Sequence, residues 1–340
     1  GEFHRKTQGM VQIFDAATGA PVGRPLAHSQ SVWAIDFSPD GTTLLTASGE
    51  YKYKDAERGE LRLWRVPAGG EVGSSVNLPY ALYSAAFSAD GTAILTAGGK
   101  FGEGEALLWH VLNARPTFLE LLSGARRPFA TRQTSVAPMR HPKRILSAAL
   151  IPDGKEVVTA AFDNTAQIWD AVTGRPVGDA LSHPSVLIRA AFHPLQENFV
   201  TACDDGNVRV WDAETRLPIG QPLLHSNAVG AVAYSPDGAR VLTGSDGRVA
   251  RIWRLADRGF AAAPISLRQD AQGQLASYSP DGRFILSGNT LYETDTGLRI
   301  AILEKTGTLD AKAFRRDGKQ VLAAMGTSAR VWDLESRTLL

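Results

Sequence analysis

Short runs of alternating apolar and polar residues recur along the chain, and each run ends at a turn signal. Within residues 183–223, "LIRAAF" leads into the turn "HPLQEN", "FVTAC" leads into "DDGN", and "VRVWD" alternates polar with apolar positions. A period of two indicates β-strands, and an Asp-Gly pair between two such runs favours a tight hairpin. The fourth run, "LPIGQPL", contains prolines, which cannot donate to a central ladder, so we expect an edge strand. This stretch predicts a unit of four short antiparallel strands.

The same unit is repeated seven times. One marker is a turn of the Ser-Pro-Asp-Gly type after the first run, which begins at Ser38, Ser88, Ile151, Ser235, Ser279 and Arg315, and in a degenerate form at His193. The second marker is an aromatic residue that closes the third run, at Trp64, Trp109, Trp169, Trp211, Trp253, Tyr292 and Trp332. Sheets repeated in this way bury both faces against their neighbours. We therefore predict an all-β, seven-bladed β-propeller of four-stranded antiparallel blades.

The repeat also predicts the domain organisation and the closure of the ring. We expect a tag or linker remnant at 1–9 and a single domain at 10–340. Its units lie near 28–77, 78–140, 141–182, 183–224, 225–268 and 269–304, and the last combines 305–340 with 10–27. The run "PVGRPL", Pro21–Leu26, is expected to close the ring as the fourth strand beside Arg330–Asp333. The run "VQIFD" around Phe14 is then a surplus eighth copy, which suggests a piece of a longer protein.

The Asp-Gly turns, a His near the start of the unit and Trp-Asp pairs such as Trp211–Asp212 resemble the WD-repeat (WD40) β-propeller family. The segments "DAATGAPVGRPLAH" and "DAVTGRPVGDALSH" are similar in particular to long bacterial WD-repeat proteins. The resemblance covers roughly residues 11–340. It implies a seven-bladed propeller that serves as a scaffold for interactions.

The resemblance also implies a buried hydrogen-bonded set of His, Thr, Asp and Trp in each well-preserved unit. The candidate sets are His141, Thr159, Asp163 and Trp169; His183, Thr201, Asp205 and Trp211; and His225, Thr243, Asp246 and Trp253. Unit 1 keeps His28, Thr46 and Trp64 without a clear Asp. Units 2, 6 and 7 carry Leu78, Gln269 and Lys305 at the His position, so we expect these blades to be less firmly tied.

Composition excludes several classes of function. The 36 basic and 35 acidic residues nearly cancel, so no global field favours nucleic acid or an anionic membrane. Cys203 is the only cysteine, so no internal disulfide can form, and no apolar run reaches about 18 residues. The chain has no CxxC, HExxH, GxSxG or P-loop motif. We expect a cytoplasmic, non-catalytic protein without cofactor or metal, either monomeric or part of a larger chain.

Candidate binding residues lie where the repeat is interrupted, because loops carry sites while the scaffold carries packing. Three inserts fall in consecutive units, at 49–60, 98–105 and about 113–143. The first contains Lys52 and Lys54. The third and its flank contain the basic cluster Arg126, Arg127, Arg132, Arg140, Lys143 and Arg144, without an acidic residue from Gly124 to Arg144. Such a cluster either binds an acidic partner or is a solvated loop.

A second candidate site is apolar. Trp33, Tyr83, Leu146 and Ile188 occupy one position at the start of the innermost strand, where later units have Gly230, Gln274 and Asp310. In the resembled fold this position lies near the top mouth of the channel. We therefore predict that the top of blades 1–4 binds a protein or peptide with acidic residues, unless the long loops cover it. The alternatives are a hydrolase or lyase that uses the channel, and a reader of acidic, phosphorylated or nucleic-acid ligands.

Overall fold

The computed structural model describes residues 9–14, 21–50, 58–66, 70–72, 75–111, 131–133, 137–195, 198–256, 259–268, 276–303, 311–314, 318–325, 328–336 and 338–339. All regular structure in these ranges is β-strand, and no helix occurs in them. The chain divides into two compact units, which are Gly1–Ile13 with Pro21–Ser182 and Phe14–Ala20 with His183–Leu340.

The first unit holds a two-stranded sheet of β1 (Gly9–Phe14) and β2 (Pro21–His28), followed by three sheets. The first sheet is β3 (Val32–Phe37), β4 (Thr43–Gly49), β5 (Gly59–Arg65) and β6 (Val76–Leu78). The second is β7 (Ala81–Phe87), β8 (Ala93–Lys100), β9 (Glu103–Val111) and β10 (Thr131–Gln133), with β11 (Met139–His141) also paired to β9. The third is β12 (Ile145–Leu150), β13 (Glu156–Ala161), β14 (Thr165–Asp170) and β15 (Leu181–Ser182).

The second unit holds four sheets of four strands each. The fourth sheet is β16 (Leu187–Phe192), β17 (Asn198–Cys203), β18 (Asn207–Asp212) and β19 (Leu223–Leu224). The fifth is β20 (Val229–Tyr234), β21 (Arg240–Ser245), β22 (Val249–Ala256) and β23 (Gly259–Arg268). The sixth is β24 (Ala276–Tyr278), β25 (Phe284–Ser287), β26 (Thr290–Glu293) and β27 (Arg299–Ile302). The seventh is β28 (Ala311–Phe314), β29 (Gln320–Met325), β30 (Ser328–Asp333) and β31 (Thr338–Leu339).

Within each sheet the strands follow chain order and pair antiparallel. Each core cluster joins successive sheets within a unit. Leu45 and Leu61 of the first sheet pack with Ile94 and Trp109 of the second, and Val200 and Val208 of the fourth pack with Trp253 of the fifth. Apolar residues therefore cover both faces of a sheet, as the repeat predicts for a WD40-type β-propeller.

The Asp-Gly turns are held by their own side chains. The Ser235 hydroxyl donates to Asp237 over 2.5 Å and accepts the Arg240 N–H over 2.9 Å. Gly238 follows with φ +73°, a conformation that favours glycine. The hydrogen bond from Ser235 lowers the pKa of Asp237 below its ordinary value. These carboxylates are thus used within their own turns.

The ends of the chain pair differently from the expectation for Pro21–Leu26. Pro21–His28 pairs with Gly9–Phe14, and the fourth strand beside β30 is Thr338–Leu339. The Asp333 carboxylate accepts the Ser336 N–H over 2.7 Å, which holds a tight turn and lets the next residues fold back. A local hairpin of this kind closes a short loop at low entropic cost. The run around Phe14 is the partner strand of β2, and this pair lies outside the seven sheets that follow it.

Candidate functional site

A bond between tryptophan and threonine recurs in the first five sheets. The indole N–H of the third strand donates to the Thr hydroxyl of the second strand over 2.8–2.9 Å in the pairs Trp64–Thr46, Trp109–Thr96, Trp169–Thr159, Trp211–Thr201 and Trp253–Thr243. All of these groups are buried. A buried indole N–H needs such a partner, so the bond fixes the packing of the second strand on the third.

The third sheet contains a complete His-Thr-Asp-Trp set. His141 Nε2 is 2.7 Å from Thr159 Oγ1, and its Nδ1 is 2.9 Å from Asp163 Oδ2. The ring of His141 also meets Trp169 edge-on, with centroids 5.7 Å apart. Burial alone would raise the pKa of Asp163, but hydrogen bonds from His141 and Thr165 outweigh it and keep that pKa below its ordinary value.

The fourth sheet brings together three members of its set by hydrogen bonds. His183 Nε2 lies 2.9 Å from Thr201 Oγ1, which also accepts the Trp211 indole N–H. Asp205 accepts the N–H of Asn207 over 2.9 Å and lies 3.6 Å from Arg209.

In the fifth sheet the prediction for Asp246 is wrong. His225 Nε2 is 2.6 Å from Thr243 Oγ1, but the exposed Asp246 is not joined to them among the described residues. The physical reason is spacing. Asp163 lies four residues after its Thr, whereas Asp246 lies three after Thr243, and the fourth position is Gly247. Without a carboxylate, burial together with the charge of Arg251 lowers the pKa of His225 to about 4.

The sets of the first and seventh sheets each contain a residue whose ring nitrogens lack a hydrogen-bond partner among the described residues. Both ring nitrogens of His28 are buried and have no hydrogen-bond partner among the described residues. The indole N–H of Trp332 is also buried without a partner in that part of the chain. In the seventh sheet the register places Ala323 where the first five sheets have Thr. An alanine cannot accept a hydrogen bond, so the indole loses its usual partner.

The apolar candidates share a feature that the sequence does not reveal. The pairing of the first strand with the second shifts by one residue at the same place in five sheets. The skipped residues are Trp33, Tyr83, Leu146, Ile188 and Gly230, which we call the bulge positions. A β-bulge locally breaks the alternation of side chains and re-aims the extra residue. Four of the five bulge positions therefore present a large apolar side chain in a repeated, fixed way.

Trp33 is the most exposed of the apolar bulge residues, with 51% of its surface accessible. Its indole N–H donates to the Gly49 carbonyl over 2.9 Å, and its ring leans on Tyr83 with centroids 6.1 Å apart. Tyr83 and Leu146 are half-buried in the same unit. Ile35 and Phe37, on the same strand as Trp33, are also exposed. The first unit thus combines a rigidly held aromatic residue with accessible apolar surface. In the second unit, Ile188 is half-buried.

Comparison with protein families identifies the repeat. A family model described as "WD domain, G-beta repeat" matches residues 19–64, 134–170, 176–212 and 221–254. The chain belongs to the WD40-repeat family. WD40 repeats generally mediate protein–protein interaction, and WD40 propellers are typically non-enzymatic scaffolds. Comparison with curated proteins finds no match.

Several of the basic candidates in this WD40 chain lie outside the described residues: Lys52, Lys54, Arg126 and Arg127. Arg132 lies in β10, of which only the backbone is described. Lys143 is exposed. Arg144 places its guanidinium over the ring of Phe162, 4.4 Å from the centroid.

Arg140 is paired with acidic residues of the β8–β9 hairpin, whose negative charges offset its own. Its guanidinium lies 3.3 Å from Glu105 and 4.0 Å from Glu103. Glu105 also accepts the Tyr80 hydroxyl over 2.7 Å. Phe101, at the tip of this hairpin, is 80% exposed and is not among the residues predicted from the sequence. An aromatic residue inside the insert "GGKFGEGE" is the signal that could have revealed it.

The described residues contain no group of three His, Cys, Asp or Glu side chains placed to hold a metal ion. Cys203 is buried, its thiol donates to the Ser185 carbonyl over 3.2 Å, and burial raises its pKa. Among the described residues, no helix is long and apolar enough to span a membrane.

Proposed function

We propose that this WD40 chain is a non-catalytic scaffold whose protein partner binds the top of blades 1–4, at their bulge positions. The observation that carries the proposal is the exposure of Trp33 at a repeated β-bulge. The proposal includes Ile188 because this residue occupies the same position of the repeat as Trp33. Binding residues commonly lie on irregular segments that a rigid scaffold positions.

Trp33 has the properties of an interface anchor. Tryptophan is enriched among the few residues that carry most of the binding energy. The bond to Gly49 already satisfies the indole N–H, so a partner can cover the ring without leaving a buried donor unpaired. The contact with Tyr83 holds the ring in place, which reduces the entropy lost on binding.

Basic residues that lie close in the sequence to the bulge position Leu146 favour an acidic partner. Lys143 is exposed just before β12, whose second residue is Leu146. Arg126 and Arg127 precede it in the insert, whereas Arg140 is paired with Glu105. Basic residues at the rim of an apolar patch speed the encounter with an acidic surface and make association sensitive to salt.

The test is capture of partners from an extract of the source cells on the wild-type chain and on two variants. Trp33→Ala removes the anchor, and Leu217→Ala removes an exposed apolar side chain of the second unit that is 65% accessible. We expect the same protein to bind the wild type and Leu217→Ala, and Trp33→Ala to retain at least tenfold less of it. Equal capture by folded Trp33→Ala would overturn the proposed surface.

A further inference from the structure

The second unit contains a cavity of about 570 Å³ that the bulge positions do not border. It lies at the ends of the inner strands β16, β20, β24 and β28, and we call it the inner-strand cavity. Each of these strands ends with an aromatic residue that lines it: Phe192, Tyr234, Tyr278 and Phe314. Its volume lies within the usual range of sites that bury small ligands or short peptide segments.

Three prolines complete the wall. Pro194, Pro236 and Pro280 each follow the aromatic residue of their strand by two positions. Among the described residues, the lining contains no charged side chain. A charged group placed in it would lose hydration without gaining a counter-ion, so the cavity suits an uncharged ligand.

The wall is fixed before any ligand arrives. Tyr234 donates its hydroxyl to the Asn198 side chain, and the ring of His193 meets it edge-on with centroids 5.1 Å apart. His193 accepts the Leu195 N–H at Nδ1 over 3.1 Å, so its Nε2–H donates to the Gly238 carbonyl over 3.1 Å. These bonds tie the fourth sheet to the fifth, and a ligand need not order this part of the wall.

The sixth sheet supplies hydrogen-bond donors that no described residue uses. Tyr278 lines the cavity, and its hydroxyl is buried without a hydrogen-bond partner in the described part of the chain. Ser277 also lines the cavity, at the position where the fourth and fifth sheets have Ala191 and Ala233. The Ser279 hydroxyl, in contrast, donates to Asp281 over 2.6 Å. The cavity thus pairs aromatic and proline surfaces with hydroxyls that can donate to a ligand carbonyl.

From these features we propose that the inner-strand cavity binds an extended, proline-rich peptide segment of a partner protein. In the polyproline II conformation the backbone carbonyls have no internal hydrogen bonds, so they can accept from Tyr278 and Ser277. Proline rings pack into grooves lined by aromatic side chains, and the pre-formed helix loses little entropy on binding. This site is separate from the proposed surface around Trp33.

Fluorescence anisotropy with a labelled deca-proline peptide tests the proposal. A labelled peptide of alternating Gly and Ser is the ligand control. We expect deca-proline to bind saturably with a Kd at or below about 1 mM, and the Gly-Ser peptide to show no comparable binding. Tyr278→Phe removes one hydroxyl and should weaken binding about three- to tenfold. Ser277→Asp places a charge in the cavity and should weaken it more than tenfold.

Tyr80→Phe, which removes a tyrosine hydroxyl in the first unit, is the matched control and should leave deca-proline binding unchanged, while thermal melting verifies that every variant is folded. If Ser277→Asp does not fold, Tyr278→Phe decides the test, because it removes only a hydroxyl. Absence of saturable binding, equal binding of the two peptides, or binding that Tyr278→Phe leaves unchanged would each overturn the proposal. Failure here leaves the Trp33 surface unaffected, since that surface is tested with a different variant.

Discussion

Trp169 donates its indole N–H to the Thr159 hydroxyl over 2.8 Å, and the same bond ties the second strand to the third in each of the first five sheets. In the seventh sheet the register places Ala323 at the threonine position, and the Trp332 indole N–H is buried without a described partner. The seventh sheet therefore lacks an interaction that the first five sheets share.

Restoring the threonine should stabilise the seventh sheet. Ala323→Thr supplies the missing acceptor. We expect the unfolding free energy of this variant to be about 1 kcal/mol higher than that of Ala323→Val. Valine is the matched control because it has the shape of threonine without the hydroxyl. Urea unfolding followed by tryptophan fluorescence measures the difference. Equal stability of the two variants would show that Trp332 has no unmet donor.

Two aspartates that look alike in the sequence should differ in their contribution to stability. Asp163→Ala removes the acceptor of the buried His141 and the half-buried Thr165, and it should lower the unfolding free energy by about 1–3 kcal/mol. Asp246→Ala changes an exposed side chain and should cost less than about 0.5 kcal/mol. Chemical denaturation of both variants checks the difference. A loss at Asp246 as large as that at Asp163 would contradict the spacing argument.

His225 should make the stability of the fold fall in mild acid. Its pKa of about 4 lies below the value of about 6.5 expected in the unfolded chain. Between these values the unfolded state binds a proton that the folded state excludes. The stability gained by keeping His225 neutral is therefore fully present above pH about 6.5, and it is lost progressively as the pH falls towards 4. We expect the loss between pH 7 and 5 to be larger in the wild type than in His225→Gln. An NMR titration that places the His225 pKa near 6.5 would contradict this.

The pair of strands at the amino end should contribute to the stability of the first sheet. Leu26 is 2% exposed and packs with Ile13, Leu44 and Trp64. Leu26→Ala should cost about 2–5 kcal/mol, because it leaves a cavity in this cluster. Arg24→Ala, an exposed change in the same strand, is the control and should be nearly neutral. Similar melting temperatures for wild type and Leu26→Ala would show that the pair does not stabilise the sheet.

The repeat could be predicted from the sequence because its signals are local. Period-two runs, Asp-Gly turns and the aromatic residue at the end of the third run each act over a few residues, and seven copies reinforce one another. The pairing of the ends could not be predicted in this way. Two third-strand sequences, around Phe14 and Trp332, compete for the strand Pro21–His28, and only the structure shows that the first one pairs with it.

The candidate site was predictable in position but not in geometry. The alignment of the units placed Trp33, Tyr83 and Leu146 at one position, but no pattern in the sequence marks that position as a β-bulge. Whether a basic side chain is free to meet a partner was harder to predict. Arg140 looked available for a partner, yet its guanidinium is paired with Glu105 on a strand 35 residues earlier in the chain. Such pairings depend on tertiary contacts that a charge count does not contain.

The central claim is that Trp33 anchors a protein partner, and the rate at which a purified partner dissociates tests it most directly. Stopped-flow or surface-based kinetics should show dissociation from Trp33→Ala faster by about thirtyfold or more, which corresponds to about 2 kcal/mol, with a smaller change in association. In a parallel measurement, the double reversal of Arg126 and Arg127 to Glu should slow association mainly at low salt. Unchanged dissociation from a folded Trp33→Ala variant would contradict the claim.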